Sequence, residues 1–339
     1  MKLCEAVHLW QAEPGWLNTA SYGLPPRPTV DAVRTALLEW QQGAGPWTDW
    51  DASTGRARGA FARLVGAEAA DVAVGSAVSQ LLAPVAASLP AGADVVVPDA
   101  EFTSNLFPWL VQDLNVRTVP PHRLADAIDG RTAAVAFSVV QSATGEVAPA
   151  DDIVRAARAS GALVVADATQ AVGWLPVDAT RFDVMACAAY KWLMAPRGAA
   201  FCYVSPAVRD LIRPSAAGWY AGEEPAYYGP PLRLATSARR FDISPAWFSY
   251  VGAVPSLELL NDIGIERIRD HNVALANRFM AGLGLPAAGS AIVSVDRPDA
   301  AERLESAGIR AAVRDGRLRA AFHLYTTEAD VDAALNVLT

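Results

Sequence analysis

The sequence predicts an α/β fold, a mostly parallel sheet with helices on both faces. Three observations point there. First, DVVVPD (94–99), AAVAFSVV (133–140), ALVVADA (162–168), FDVMACAA (182–189) and AAFCYVS (199–205) are short apolar runs. They lack the polar–apolar alternation of a half-exposed sheet, so they read as strands covered on both sides. Second, segments of helical periodicity separate such runs, the alternation that builds a parallel sheet. Third, a chain of 339 residues that is 52% apolar and 19% charged can bury a core of that size. The same composition excludes disorder, coiled coil and a disulfide scaffold.

Taken in order, GWLNTASYGLPPR (15–27) is rich in Gly, Pro and small polar residues and reads as an ordered loop. Val30, Val33, Ala36, Leu37 and Trp40 then recur at helical spacing over 29–40, and GAGPWTDW is expected to break that helix. A second helix is expected over 54–66, a strand at VAV (72–74), and a third helix opened by GSAVSQLLAPVAASL. DDIVRAARASG has an Asp near its start and Gly161 at its end, the signals of a capped helix. Residues 206–245 are loop-rich, with Trp219, Tyr220, Tyr227 and Tyr228 among glycines and prolines. A helical region follows at 248–283. Strands at SAIVSVD, 309–314 and RLRAAFHLY, with helices at 298–307 and 327–337, make a small α+β unit. The composition shift near 245–285 divides the chain into an N-terminal segment (1–28), a large domain (29–250) and a small C-terminal domain (251–339).

Net charge is −8 and the pI is near 5.1, with no Lys/Arg block. That balance argues against nucleic acid as a partner. No 18-residue uncharged apolar run suits a membrane span, and MKLCEAVHLW has an acid and a His where a signal peptide would be apolar, so a soluble cytoplasmic protein is expected. Cys4, Cys187 and Cys202 are too widely spaced for a disulfide framework or a thiolate metal site, and His8, His122 and His271 show no metal spacing. No metal is expected.

Of 28 basic residues only two are lysines, Lys2 and Lys191. A lysine kept between apolar stretches, in ACAAYKWLMAP, points to chemistry a guanidinium cannot perform, such as Schiff-base formation. A chance residue closing a strand is the alternative. Asp167 ends ALVVAD, where a buried carboxylate needs a partner, either a protonated ring nitrogen or the next helix that it would cap. After the strand at 72–74, Gly75, Ser76 and Ala77 could turn backbone N–H groups toward a phosphate, or simply make a tight turn. An amine, a carboxylate and an anion-binding turn at strand ends would together hold a phosphorylated aromatic aldehyde. Pyridoxal 5′-phosphate is such a molecule.

The ordered motifs carry this further. LNTASYGLPP (17–26), VGSAVSQ (74–80), DAEFTSNLFPW (99–109), SVVQSATGEVAP and GALVVADATQAVGWLPVD within 138–178, FDVMACAAYKWLMAPRGAAFCYVS (182–205), SARRFDISPAWFSYVGA (237–253) and GRLRAAFHLYTTEADVD (316–332) span nearly the whole chain. Together they resemble the class V aminotransferase family of fold-type I pyridoxal-phosphate enzymes, which includes cysteine desulfurases, kynureninases, isopenicillin N epimerase-like enzymes and C–S lyases. The resemblance implies a seven-stranded, mostly parallel sheet in the large domain and a homodimer acting on a small amino-acid substrate.

By that resemblance Lys191 binds the cofactor aldehyde, Asp167 its ring nitrogen and Gln170 its phenolic oxygen. Gly75, Ser76 and Ala77 receive the phosphate, Phe102 stacks on the ring, and the Tyr190 hydroxyl reaches the phosphate. Arg319 grips the substrate α-carboxylate, a bidentate task suited to its planar fork. Ser142 and Asn18 lie near the substrate, and Trp219 is a candidate pocket wall. Ser244-Pro245 stands where the family's neighbouring subunit usually offers Gly-Thr to the phosphate. His323 reads as a packed residue. Phe102 and Tyr190 depart from the desulfurase histidines and resemble kynureninase. No cysteine follows Cys202, so the persulfide-forming cysteine of desulfurases, expected shortly before Arg319, is missing. The short chain, its SPAWF stretch and its arginine-rich composition resemble actinobacterial C–S lyase-like members, some of them in secondary metabolism. The expected reaction is β-elimination from a cysteine S-conjugate or its sulfoxide, with decarboxylation–deamination, transamination and epimerisation as alternatives, and kynureninase or cysteine desulfurase activity ranked after them.

Overall fold

The computed structural model describes residues 1, 3–223 and 227–339; Lys2 and the side chain of Cys4 lie outside the described residues. The helices are α1 (Leu3–Ala6), α2 (Arg27–Gln42), α3 (Trp47–Leu64), α4 (Val78–Ala86), α5 (Thr103–Leu110), α6 (Ala150–Ser160), α7 (Trp247–Ile263), α8 (Ile265–Gly282), α9 (Ala300–Ser306) and α10 (Glu328–Leu338). The strands are β1 (Val72–Gly75), β2 (Asp94–Pro98), β3 (Asn115–Val119), β4 (Thr132–Ser138), β5 (Leu163–Asp167), β6 (Val184–Ala188), β7 (Ala200–Val204), β8 (Ile292–Val295), β9 (Ala312–Arg314) and β10 (Arg317–Ala321).

The first seven strands form one sheet in the order β1-β7-β6-β5-β4-β2-β3. β7 runs antiparallel to both neighbours and the other pairs are parallel, so the expected architecture is observed. Alternate residues of β4 enter two cores. Val135 and Phe137 pack in the one with α3, α6 and α7, and Ala134 and Ala136 in the one with α4 and α5. That two-sided burial is why the run is uniformly apolar. β3 reads NVRTV with two of its five positions exposed and none buried, which is why its edge position leaves little trace in the sequence.

Two helices differ from expectation. GAGP (43–46) breaks α2 as expected, but WTDW already belongs to α3, which begins at Trp47 and not near 54. Pro46 sits just before the first turn, where a missing N–H does no harm, and Trp47 stacks on Trp247 of α7 with ring centroids 5.5 Å apart. α6 ends at Gly161 as expected (φ 73°), but its N-cap is Pro149, and Asp151 and Asp152 occupy the first turn as charges favourable to the helix dipole.

β8, β10 and β9 make a three-stranded antiparallel sheet whose core is shared with α8, α9 and α10. We propose that the chain divides as its composition suggests, into 1–28, 29–250 and 251–339, although α7 still packs on α2 and α3 in the large-domain core and the small domain's own core draws on α8, which packs on α10. The 15–27 strap ties both parts together. The Leu17 amide donates to the Arg310 carbonyl, and the Ala321 amide donates to the Leu17 carbonyl, at 2.8 and 2.9 Å. The Gly23 amide donates to the Tyr190 carbonyl at 2.9 Å. A Cβ at Gly23 would lie 2.0 Å from the Lys191 carbonyl oxygen, so only glycine permits this approach.

Candidate active site

The site lies at the carboxyl ends of the parallel strands, where this topology gathers ligands. Asp167 ends β5, the central strand, and Ser138 ends β4 directly beside it in register. Lys191 follows β6 in a tight turn. Ser76 and Ala77 join β1 to α4, and Phe102 precedes the first turn of α5. One cavity is lined by Ser76, Ala77, Phe102, Ser142, Asp167, Gln170, Tyr190 and Lys191, so most of the expected residues converge. Gly75 shapes the approach from below: a Cβ there would meet the Gln80 side-chain oxygen at 2.2 Å and Leu81 at 2.8 Å.

Lys191 is 5% exposed, and its Nζ lies 5.4 Å from the centroid of the Phe102 ring. Burial lowers its ammonium to about 8, opposed by the charge of Asp167. Burial likewise raises the Asp167 carboxyl, opposed by the Thr169 side chain and by the Thr169 amide, which donates to Oδ1 at 2.8 Å. The two groups attract across the cavity without an ion pair between them among the described residues. The space between them suits a flat ligand with an aldehyde at one side and a basic nitrogen at the other.

Gln170 is held from three sides. Its Nε2 donates to the Ala20 carbonyl and to Ser142 Oγ, each at 3.0 Å, and its Oε1 accepts from Trp192 Nε1 at 2.8 Å. Arg319, on β10, is only 1% exposed. Its Nη1 donates to the Ser142 carbonyl at 2.8 Å and Oγ at 3.3 Å, and its Nη2 to Ser21 Oγ at 2.8 Å. Ser21 Oγ in turn donates to Asn18 Oδ1 at 2.7 Å. No carboxylate pairs with Arg319 among the described residues; burial, with the nearby Arg314 charge, lowers the guanidinium to about 10. A buried cation without a counter-charge is arranged to receive an anion.

Two expected residues lie elsewhere. Trp219 lines a separate cavity with Trp47, Tyr220 and Tyr227, and Ser244 is exposed and outside the Lys191 cavity of its own chain. Sequence reasoning passed over several others. Glu101 is buried and accepts from the Phe102 amide at 2.8 Å, from the Ser138 amide at 2.7 Å and from the Ser138 hydroxyl. A carboxylate after the apolar run 94–99 was its only trace. Thr169 and Arg197 also line the cavity. Cys187 and Cys202 are both buried; burial pushes the Cys187 thiol well up and that of Cys202 to about 12, so neither is a ready thiolate. His323 is packed, as expected, with Nε2 3.0 Å from the Trp192 carbonyl oxygen and burial lowering it to about 3.

A doubly covered α/β sheet with a buried lysine, a buried aspartate and an aromatic ring facing the lysine at its strand ends suits an enzyme of aldehyde-cofactor type. The aminotransferase class-V family model matches residues 50–299, and the chain belongs to that family. It is 30% identical to an uncharacterized aminotransferase of Bacillus subtilis, over 86% of this chain and 84% of that protein. It is also 30% identical to isopenicillin N epimerase of Streptomyces clavuligerus, over 95% and 94%. The cysteine desulfurase CsdA of Escherichia coli shares the fold with a TM-score of 0.86 at 20% identity, covering 99% of this chain and 97% of that one. A cystine C–S lyase, C-DES, does so with a TM-score of 0.87 at 22%, covering 96% and 97%. The architecture is fold-type I, and the cofactor of the family is pyridoxal 5′-phosphate. The residues present fit it: an amine with a lowered pKa for the aldehyde, a carboxylate for the ring nitrogen, a ring to stack on, and small residues at a helix N-terminus for the phosphate.

Proposed function

We propose that this protein is a C–S lyase that removes the sulfur substituent of a cysteine S-conjugate or its sulfoxide by β-elimination. With one water consumed in hydrolysis of the released enamine, the products are a thiol or sulfenate, pyruvate and ammonia. When bound, the cofactor supplies an electron sink for the pair left at the substrate α-carbon. The chain's own residues supply the rest. Lys191 Nζ would hold the cofactor's aldehyde carbon, and as a free amine it would take the substrate α-proton. Its pKa near 8 leaves roughly a tenth of the amine unprotonated at neutral pH, against a few parts in ten thousand for an ordinary lysine. Asp167 keeps the ring nitrogen protonated. Phe102 would stack on the ring, and Gln170, whose Nε2 now donates to Ser142 Oγ, would offer its amide to the phenolic oxygen. Arg319 orients the substrate through its carboxylate, with Ser142, Ser21 and Asn18 holding the guanidinium in place.

The observation that favours elimination over sulfur transfer is the state of the thiols. Both described cysteines are buried with raised pKa values, poorly suited to accept sulfur. A C–S lyase among the structural neighbours accords with this choice. The epimerase relatives, matched over 95% of this chain, favour a second reading in which Lys191 abstracts the α-proton and the α-carbon is reprotonated on its other face.

Incubating holoenzyme with cysteine S-conjugates, cysteine, alanine and kynurenine, with products read by mass, tests the proposal. Pyruvate released in step with thiol supports it. Solvent deuterium entering recovered substrate without pyruvate would mean epimerisation, and alanine with bound persulfide a desulfurase. Keto-acid consumption would mean transamination, and carbon dioxide with aldehyde the decarboxylating alternative.

We also propose that the working unit is a homodimer. Val30, Leu37, Leu38 and Trp40 of α2 are exposed, Trp40 to 62%, beside an apolar trough of about 690 Å³ that reaches Tyr190. Large apolar side chains grouped on one helix suit a protein contact better than water. Trp219 and Ser244, outside the cavity of their own chain, would then act at the neighbouring subunit's site. Sedimentation at low micromolar concentration should give twice the chain mass; a fully active monomer would refute this.

A further inference from the structure

The cofactor's phosphate carries nearly two negative charges at neutral pH, and a cationic side chain strengthens its binding beyond what backbone amides supply. Of the side chains lining the Lys191 cavity, only Lys191 and Arg197 are cationic. Lys191 is committed to the aldehyde. The helix end is also a modest cradle here. The Ser76 amide already donates to the Gln80 side-chain oxygen at 3.2 Å, and Ala77 has no side-chain donor.

Arg197 is differently placed. Its guanidinium carbon lies 4.6 Å from the centroid of the Tyr190 ring, and it lines both the cofactor cavity and the mouth of the apolar trough. Its backbone is pinned between Pro196 and Gly198. The Arg197 carbonyl accepts from Ser249 Oγ at 2.8 Å, and Gly198 has φ 108° with room for no Cβ, since one would lie 2.8 Å from that same hydroxyl. No carboxylate pairs with the guanidinium among the described residues. A fixed stem therefore carries an unpaired, fork-shaped cation to the rim of a cavity that must hold a dianion. We propose that Arg197 is a cofactor-binding residue that neutralises the 5′-phosphate, with its plane set by stacking on Tyr190. The inference rests on the family's cofactor, not on which reaction the enzyme performs.

Apoprotein affinity for pyridoxal 5′-phosphate and for pyridoxal, which lacks the phosphate, separates this role from others. For Arg197→Ala, pyridoxal 5′-phosphate should bind on the order of 10–100-fold more weakly, the scale of a lost charge-assisted pair. Pyridoxal affinity should change by less than about twofold, because the partner of the missing guanidinium is absent from that ligand. Arg197→Lys should fall between, keeping the charge without the fork. Arg197 is exposed, so the variant apoproteins should melt with the wild type, and Arg197→Lys carries the test if Arg197→Ala does not fold. An equal loss for both ligands, or unchanged pyridoxal 5′-phosphate affinity with a raised substrate KM, would overturn the assignment. Because the readout is equilibrium binding, failure of the C–S lyase proposal would leave it untouched.

Discussion

Lys191 is held in the fold against its own stability. Burial lowers its ammonium from 10.5 to about 8, whereas the unfolded chain keeps the ordinary value. Between those two values the unfolded state binds more protons, so stability from this group rises with pH there, and below pH 8 the full penalty is present. That displacement corresponds to about 3 kcal/mol at pH 7. Lys191→Met keeps the apolar stem and removes the charge, so the variant apoprotein should be more stable than wild type at pH 7, by up to about 3 kcal/mol. At pH 9.5 about 1 kcal/mol of that advantage should remain, because the wild-type amine is by then mostly neutral when folded. Asp167 loses its nearest cation in the variant, which reduces the gain. Lys191→Met combined with Asp167→Asn removes both buried charges and should be more stable than either single variant. Urea unfolding of the apoproteins, followed by tryptophan fluorescence at both pH values, provides the measurement. A Lys191→Met apoprotein no more stable than wild type at pH 7, or an advantage equal at both pH values, would refute the reasoning.

Borohydride reduction of the holoenzyme followed by peptide mapping should place the pyridoxyl group on Lys191, and Lys191→Ala should lose turnover while keeping its fold; an adduct on Lys2 would contradict this. Asp167→Asn should retain cofactor and lose roughly 10²-fold or more in kcat, the scale of one preorganised electrostatic partner. The same substitution should lower the pH midpoint for reaction of apoprotein Lys191 with pyridoxal below about 8, since the carboxylate is what opposes the effect of burial. Arg319→Ala should act mainly through KM, because its partner is the carboxylate in ground and transition states alike; a loss confined to kcat would remove Arg319 from substrate binding.

Much of the site was legible because its residues stand where local sequence makes them conspicuous. Asp167 interrupts an apolar strand, Lys191 is rare in an arginine-rich chain, and Gly75-Ser76-Ala77 sits between a strand and a helix. Glu101, Thr169 and Arg197 were not legible, since a carboxylate, a hydroxyl and an arginine beside a strand or loop are ordinary residues until folding gives them neighbours. The start of α3 was missed for a related reason. WTDW has turn-like composition, but Trp47 and Trp50 both pack near Trp247, and that tertiary contact favours helix over local preference.

The sequence by itself determined the two-sided burial of the main sheet, the order of most elements, the family and its cofactor, and the two residues at the centre of the site. These follow from apolar periodicity and from single residues out of keeping with their surroundings, which are properties of short segments. Tertiary structure alone decided what each reactive group faces. Ser21 and Arg319 are 298 positions apart, and Ser142 and Arg319 are 177 apart, yet they form one network in which the guanidinium meets no carboxylate among the described residues. It also placed Trp219 and Ser244 outside their own chain's cavity and brought Arg197 to its rim. Pairings of that reach depend on how the strap, the loop after β4 and the small sheet close over the strand ends. Closure is a property of the packed whole, so no local window of sequence contains it.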